Sequence, residues 1–319
     1  MNELTVDTEM HHPSGAVHHM CCNPKDPLII VTATESNCDG RVFRLPPLGH
    51  LEGSESSNMK EIAVLDPPDT VSPLVDIVWR GASEYLDHQQ AGDLLTMNKN
   101  GTLVRWDQDL ACAISVSTIS PSKRTAALLP RVAWDPHNPE AVAVSQDNRI
   151  RLLDWRTDTS TPTGMTDSFV CHHVGVTSLD YNPNKPYVLA TSGQDSFVKF
   201  WDLRLTKRPS LTVQGGHSHW ICDVQYNPFH DQLVLSSGTD GLANLWRFSS
   251  ISSAPLLPTV EDNDSTGYAN GKVSTHDQQE PSRCYWSQTD AWAYMIVSCT
   301  DGKVSLNHVP SGEKYKILL

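Results

Sequence analysis

Apolar and polar residues alternate with a period of two along much of the chain, in short runs such as Val198-Lys-Phe-Trp201 and Leu103-Val-Arg-Trp106. That period puts successive side chains on opposite faces and predicts half-buried β-strands. Asp-Gly, Asn-Gly and Asn-Pro pairs punctuate the runs, and these are the residues of tight turns. No stretch sustains a helical period, and 21 Pro with 18 Gly would interrupt helices repeatedly. The pattern predicts an all-β protein built from four-stranded antiparallel units.

The units repeat. Tyr181-Asn-Pro-Asn-Lys-Pro-Tyr-Val-Leu-Ala-Thr-Ser-Gly-Gln-Asp195-Ser-Phe-Val-Lys-Phe-Trp201-Asp202 aligns with Tyr226-Asn-Pro-Phe-His-Asp-Gln-Leu-Val-Leu-Ser-Ser-Gly-Thr-Asp240-Gly-Leu-Ala-Asn-Leu-Trp246. Asn100-Gly-Thr-Leu-Val-Arg-Trp106-Asp107 keeps both the turn and the Trp, whereas Asp147 to Asp154 has Leu153 at the Trp position. Asp39-Gly and Asp301-Gly keep only the turn. Nine Trp against six Phe fits a Trp that recurs at an equivalent place in several copies. A strand-rich repeat with tight turns and a Trp-Asp ending points to a propeller blade.

Within the fifth copy, Gly216-His217 precedes the blade and Ser236 lies on its second strand, so His217, Ser236, Asp240 and Trp246 are placed to form one buried hydrogen-bond chain. The fourth copy offers His172 or His173 with Thr191, Asp195 and Trp201. On these residues the chain resembles the WD-repeat β-propellers, whose tetrad of this kind is a structural device. Six blades are visible, at 15–68, 69–120, 121–170, 171–214, 215–254 and 273–319. Residues 15–254 are expected to hold five of them, and 273–319 the last. The acidic segment 255–272, with Glu261, Asp262 and Asp264, reads as a disordered loop.

Composition narrows the function classes. With 24 Lys plus Arg against 37 Asp plus Glu, the net charge is −13, which opposes nucleic-acid binding. The longest uninterrupted apolar run, Ala291–Val297, is far too short to span a bilayer, so no direct membrane insertion is expected. The acidic amino terminus has no apolar core of a secretory signal, and a cytoplasmic location is expected. Eight cysteines without a CxxC pair read as reduced thiols.

The residues offer three candidate chemistries. His11-His12, His18-His19 and Cys21-Cys22 have the composition of a zinc or copper site. Neighbouring side chains on a strand diverge, however, so only half of each doublet can converge, and no metal or other cofactor is assigned. His217, Ser236 and Asp240 contain the residue types of a nucleophilic triad, but the buried tetrad accounts for the same atoms and no nucleophile elbow is present. No catalytic residue is assigned, and the chain is read as a non-enzyme. Arg156 and Arg204 each follow a strand-ending Asp by two residues, similar to the WDxR motif through which some WD-repeat proteins join the adaptor of cullin-RING ubiquitin ligases. Their other reading is pairing with a neighbouring carboxylate. Arg156, Arg204 and Trp220 are the candidate partner-binding residues.

Longer runs narrow the resemblance. His217-Ser-His-Trp-Ile-Cys-Asp-Val-Gln-Tyr-Asn-Pro-Phe-His-Asp-Gln-Leu-Val-Leu-Ser-Ser-Gly-Thr-Asp240, Ser249-Ser-Ile-Ser-Ser-Ala-Pro255 and a last strand at Tyr315-Lys-Ile-Leu-Leu319 resemble the family of EARP- and GARP-interacting WD-repeat proteins. The resemblance implies a scaffold that binds EARP and GARP tethering complex subunits in endosomal recycling, retrograde transport to the trans-Golgi network and dense-core-vesicle cargo sorting. It also implies peripheral association with trans-Golgi and recycling-endosome membranes. A cullin-RING substrate receptor is the alternative. The family propeller is expected to have seven blades, so residues 1–14 read as the remnant last strand of a missing first blade and the chain as a truncated form.

Overall fold

The computed structural model describes residues 12–13, 17–34, 39–46, 59–66, 72–81, 92–107, 109–110, 113–118, 128–155, 165–254, 270–277, 282–298 and 304–318. They form six antiparallel sheets, five of four strands and one of three. The first holds β1 (Val17–Cys22), β2 (Ile29–Thr34), β3 (Gly40–Arg44) and β4 (Lys60–Leu65). The second holds β5 (Leu74–Trp79), β6 (Leu94–Asn98), β7 (Thr102–Trp106) and β8 (Ala113–Thr118). In the third, β9 (Val132–Trp134), β10 (Ala141–Gln146), β11 (Arg149–Asp154) and β12 (Met165–Val170) pair in chain order. The fourth comprises β13 (Val176–Tyr181), β14 (Val188–Gly193), β15 (Val198–Asp202) and β16 (Leu211–Val213). The fifth comprises β17 (Ile221–Tyr226), β18 (Leu233–Gly238), β19 (Leu242–Phe248) and β20 (Asn270–Asp277). The sixth is β21 (Ser282–Trp286), β22 (Ala293–Ser298) and β23 (Val304–His308), followed by the helix α1 (Ser311–Leu318). Each sheet is one blade of a β-propeller.

Turn chemistry repeats with the sheets. Asn23, Asn182 and Asn227 each precede a Pro, and each side-chain oxygen accepts the N–H groups two and three residues on, closing the first hairpin of its sheet. Asp135 takes the His137 N–H in the third sheet, and Ser287 takes those of Thr289 and Asp290 in the sixth. These Asx-type turns fix the strand register. The next hairpin needs a residue in the left-handed region, supplied by Gly101 (φ 96°) and Gly241 (φ 76°) and, less comfortably, by Ser196 (φ 64°). A register shift recurs near the start of the first strand in the first, second, fourth and fifth sheets and re-aims His19, Asp76, Ser178 and Asp223.

The chain divides into two compact units, Met1–Val144 with Leu152–Asp167, and Ser145–Arg151 with Ser168–Leu319. In the first, Val31, Val42, Leu74, Ile77, Leu94 and Trp106 form one apolar layer, and Leu95, Leu103, Val132, Val142 and Leu153 another. In the second, Phe200, Val224, Val234 and Trp246 form one layer, and Leu235, Leu245, Trp286 and Ile296 the next. One face of each middle strand packs forward and the other backward, which is why these strands are apolar on both sides.

Two boundaries differ from the sequence reading. Residues 270–272 are not loop, because β20 starts at Asn270 and pairs with β19 along its length, so the sixth sheet begins only at Ser282. The terminal Tyr315–Leu319 segment is not a strand but lies in α1 up to Leu318. Glu313 in its first turn and Lys316 in its last suit the helix dipole, Arg247 Nε holds Glu313 at 2.7 Å, and Ile317 packs on the sheet core. Residues 255–269 and 1–11 lie outside the described residues. Among the described residues, no helix is long and apolar enough to cross a membrane.

Candidate functional site

In the fifth sheet the indole Nε1 of Trp246 donates to Ser236 Oγ at 2.8 Å, Ser236 Oγ lies 2.7 Å from His217 Nε2, and His217 Nδ1 lies 3.1 Å from Asp240 Oδ1. Asp240 also accepts the Ser218 and Leu242 N–H groups, tying the connection before β17 to the β18–β19 turn. The fourth sheet repeats the chain with Trp201 Nε1 to Thr191 Oγ1 at 3.0 Å, Thr191 to His172 Nε2 at 2.9 Å, and His172 Nδ1 to Asp195 Oδ1 at 2.7 Å. Of the two candidate histidines, His172 is the one that enters; His173 contributes only its backbone N–H to Asp195.

Strand register sets the geometry. Trp201 stands opposite Leu189 and reaches along the same face to Thr191, and Trp246 opposite Val234 reaches Ser236 in the same way. Glycine is required where the ring lies flat on backbone. A Cβ at Gly238 would sit 2.6 Å from Asp240 Oδ1 and 2.8 Å from His217 Nδ1, and one at Gly193 would collide with His172. The second sheet keeps the Trp106 Nε1 to Thr96 Oγ1 bond, at 2.9 Å, and has Asn100 at the Asp position, where it accepts the Thr102 N–H.

Burial depresses the pKa of both histidines against the pull of their aspartates. A neutral ring is what the chain needs: Nδ1–H donates to the carboxylate and Nε2 accepts the hydroxyl proton, leaving the hydroxyl lone pair for the indole N–H. Burial alone would raise Asp195 and Asp240, but the histidine bond and backbone N–H groups outweigh it and hold both below the usual carboxylate range. The order Asp, His, Ser is that of a hydrolase triad, yet Ser236 is fully buried and its oxygen is already engaged by Trp246. The arrangement clamps loops to strands; it offers no substrate a path to the hydroxyl.

A second buried network has no counterpart in the sequence reading. Asp93 receives Arg105 Nη2 at 2.8 Å and Arg80 Nη1 at 3.4 Å, while Arg105 Nη1 reaches Glu140 at 2.8 Å. The Arg80 guanidinium lies 4.0 Å over the Trp134 ring and also donates to the Pro139 carbonyl. Burial, with Arg105 beside it, lowers Arg80 to about 10. The only local hint is Arg105 beside the repeat Trp; the other partners are far apart in sequence.

The remaining candidates are dispersed. Arg204 grips Asp202 through Nε at 2.8 Å and Nη2 at 2.6 Å and lies 5.4 Å over Tyr187. Since the pair is solvent-exposed, Arg204→Ala is expected to leave the thermal midpoint unchanged within measurement error, checked by circular dichroism melts. Arg156 lies outside the described residues. Trp220 is 46% exposed and stacks on His219. Among the His and Cys doublets of metal-like composition, His12 Nε2 meets Thr32 Oγ1 and His19 Nε2 meets Asp76 at 3.0 Å, while burial pushes the Cys21 thiol up, away from the thiolate a metal needs. Among the described residues, no group of three or more His, Cys, Asp or Glu is placed to hold a metal ion.

Asp180 on β13 accepts the Tyr226 N–H of β17 at 2.7 Å. Burial, with the charge of Asp223 adding to it, raises Asp180 to about 7. A raised carboxylate stabilises the fold fully below the ordinary carboxylate range and loses that contribution as pH rises through about 7. Asp180→Asn is therefore expected to match the parent protein in acid and to melt higher at pH 8. Melts at both pH values check this, and a gap independent of pH would refute it.

Comparison with known proteins follows the same lines. The family model described as the EIPR1 beta-propeller matches residues 1–246. The EARP and GARP complex-interacting protein 1 of Homo sapiens is 29% identical, with 100% of this chain and 87% of that protein covered. The protein of the same name from Pongo abelii is 33% identical over 100% of this chain and 88% of its own length. The WD repeat-containing protein DWA2 of Arabidopsis thaliana is 28% identical over 97% of this chain and 83% of its own. With six blade-like sheets, the repeated Trp-to-Asp chains and a family match over most of its length, the chain belongs to the EIPR1 β-propeller family.

Proposed function

We propose that this chain is a non-enzymatic adaptor that binds EARP and GARP tethering complex subunits. The observation that carries the reading is the similarity, over the whole chain, to proteins whose names state that they interact with those complexes. The geometry supports it, because the His, Asp and hydroxyl groups of the fourth and fifth repeats are turned inward to clamp loops, leaving loop ends and strand edges for partners. The processes served are endosomal recycling, retrograde transport from endosomes to the trans-Golgi network and sorting of dense-core-vesicle cargo. The protein would then work in the cytoplasm, associated peripherally with trans-Golgi and recycling-endosome membranes.

Affinity purification of the tagged chain from its own cytosol, with mass spectrometry, tests the reading. Stoichiometric recovery of EARP or GARP subunits is the expected result. Recovery of a cullin-RING adaptor alone, lost on charge reversal at Arg156 and Arg204, would replace it with the ligase-receptor reading.

A further inference from the structure

In a chain of net charge −13, one end of the fourth, fifth and sixth sheets concentrates cations and exposed aromatic rings. The hairpins at this end are stitched together. Leu203 N–H donates to Tyr187 O at 2.8 Å, Asn184 Nδ2 to Phe229 O at 3.1 Å, and the His230 ring stacks on Trp292 at 4.2 Å. Lys314 of α1 lies 5.6 Å over the same Trp292. The surface is therefore continuous across three blades. It exposes Tyr187 (51%), Leu205 (71%) and Phe229 (43%) beside Arg204, Lys207 and Arg208.

Among the described residues, the acids at this end are engaged. Asp202 closes on Arg204, Glu313 lies between Arg247 and Lys316, and the buried Asp231 takes Asn182 and Ser253. Asp290, half-exposed, caps the Trp292 N–H. Lys207 and Arg208 are exposed and make no ion pair among the described residues. Cations interleaved with aromatic faces are the composition of an interface rich in anchors, with charge steering the approach and rings supplying the area.

We propose that this end of the fourth to sixth sheets is a docking surface for an acidic partner segment that carries apolar side chains between its carboxylates. The proposal deepens the adaptor reading and rests on it, by assigning the surface through which a protein partner is held. Charge complementarity selects the occupant: the patch is positive on a negative chain, so an acidic segment is drawn to it and repelled by the rest of the surface.

The test uses the full chain and a fluorescein-labelled synthetic peptide that alternates glutamate with leucine and phenylalanine, read by fluorescence anisotropy. The double variant Lys207→Glu with Arg208→Glu, and separately Phe229→Ser, are expected to weaken binding roughly tenfold or more. Val174→Ser, at an exposed position just before β13 at the opposite end of the fourth sheet, is expected to leave it unchanged, and melts verify that each variant is folded. Equal binding of peptides with glutamine for glutamate, or serine for the apolar residues, would overturn the proposal. So would preference for single-stranded RNA, or loss in the same variants of a self-association seen by light scattering. Peptide binding that appears only after deletion of residues 256–268 would assign the patch to the chain's own acidic segment and overturn it too. Tether recovery is measured in parallel. Variants that lose the peptide but keep the tethers would remove this surface and leave the adaptor reading standing, whereas specific peptide binding by a parent protein that recovers no tether would refute the adaptor reading instead.

Discussion

Replacing Asp195 by Ala is expected to destabilise the protein by about 3–5 kcal/mol and to lower the thermal midpoint by roughly 4–7 °C. Asp195 is the terminus of the fourth-sheet chain: it holds His172 at 2.7 Å, the His173 N–H at 3.2 Å and the buried Lys199 ammonium at 3.4 Å. Its removal leaves Lys199 with the Cys171 carbonyl and the face of Phe197 but no counter-charge among the described residues, and takes the carboxylate from His172 Nδ1–H. Uncompensated buried donors cost more than the bonds themselves contributed. The effect has a sign in pH. Because Asp195 is held below the usual range, its contribution is complete above that range and is lost as pH falls through the folded value. The gap between parent and variant should hold at neutral pH and close in strong acid. The depressed His172 adds acid sensitivity in the parent, since its neutral form is favoured by the fold and that preference is lost on acidification below its ordinary value. Asp195→Asn should recover part of the loss by accepting from His172 while remaining neutral toward Lys199. Urea unfolding across pH checks all three; a gap unchanged by pH would sink the account.

Asp93→Ala should cost a similar amount, about 3–5 kcal/mol, for a different reason. Arg80 is 1% exposed and Arg105 is largely covered, so deleting their shared carboxylate leaves two like charges facing each other, with Glu140, the Pro139 carbonyl and the Trp134 ring nearby. Arg80→Met, by contrast, keeps an unbranched apolar chain to fill the space beside Trp134 and removes one of the two cations, so a loss well below that of Asp93→Ala is expected. Urea midpoints of the two variants separate the accounts. If Arg80→Met proves as damaging as Asp93→Ala, the network is acting through packing rather than charge.

How much of this could be read from the sequence depended on distance along the chain. The tetrads were legible because the fourth and fifth repeats carry His, hydroxyl, Asp and Trp at nearly fixed offsets, so the two aligned copies expose them together: Trp201 lies ten residues from Thr191, as Trp246 does from Ser236. The strands followed from the period of two and the Asn-Pro and Asp-Gly turns. The Arg80 network was not legible, since Arg80 meets Pro139 across 59 residues and no local pattern marks the encounter. Helix α1 was missed because eight residues are too short for a helical period to stand out, and Pro310-Ser-Gly reads equally as a turn before a strand. The basic and aromatic surface draws one hairpin from each of three sheets, as Asn184 and Phe229 show across 45 residues, so it emerges only when the repeats are stacked. Arg204 is a candidate in sequence because Trp201 to Arg204 is similar to the WDxR motif, and in the fold its guanidinium is engaged by the Asp two positions before it.

The Asn-Pro turns also bear on chemical ageing. Asparagine deamidates when the next residue's backbone nitrogen attacks the side-chain amide, and a prolyl nitrogen has no proton to lose in that attack. Asn23, Asn138, Asn182 and Asn227 are each followed by Pro, so most of the asparagines that hold the first hairpins are spared this route to isoaspartate. Asn100, followed by Gly101, has no such protection, although its side-chain oxygen is occupied by the Thr102 N–H at 3.0 Å. On long storage, the first succinimide in the described part of the second sheet should form there, at a hairpin tip, while the Asn-Pro hinges of the repeats stay intact.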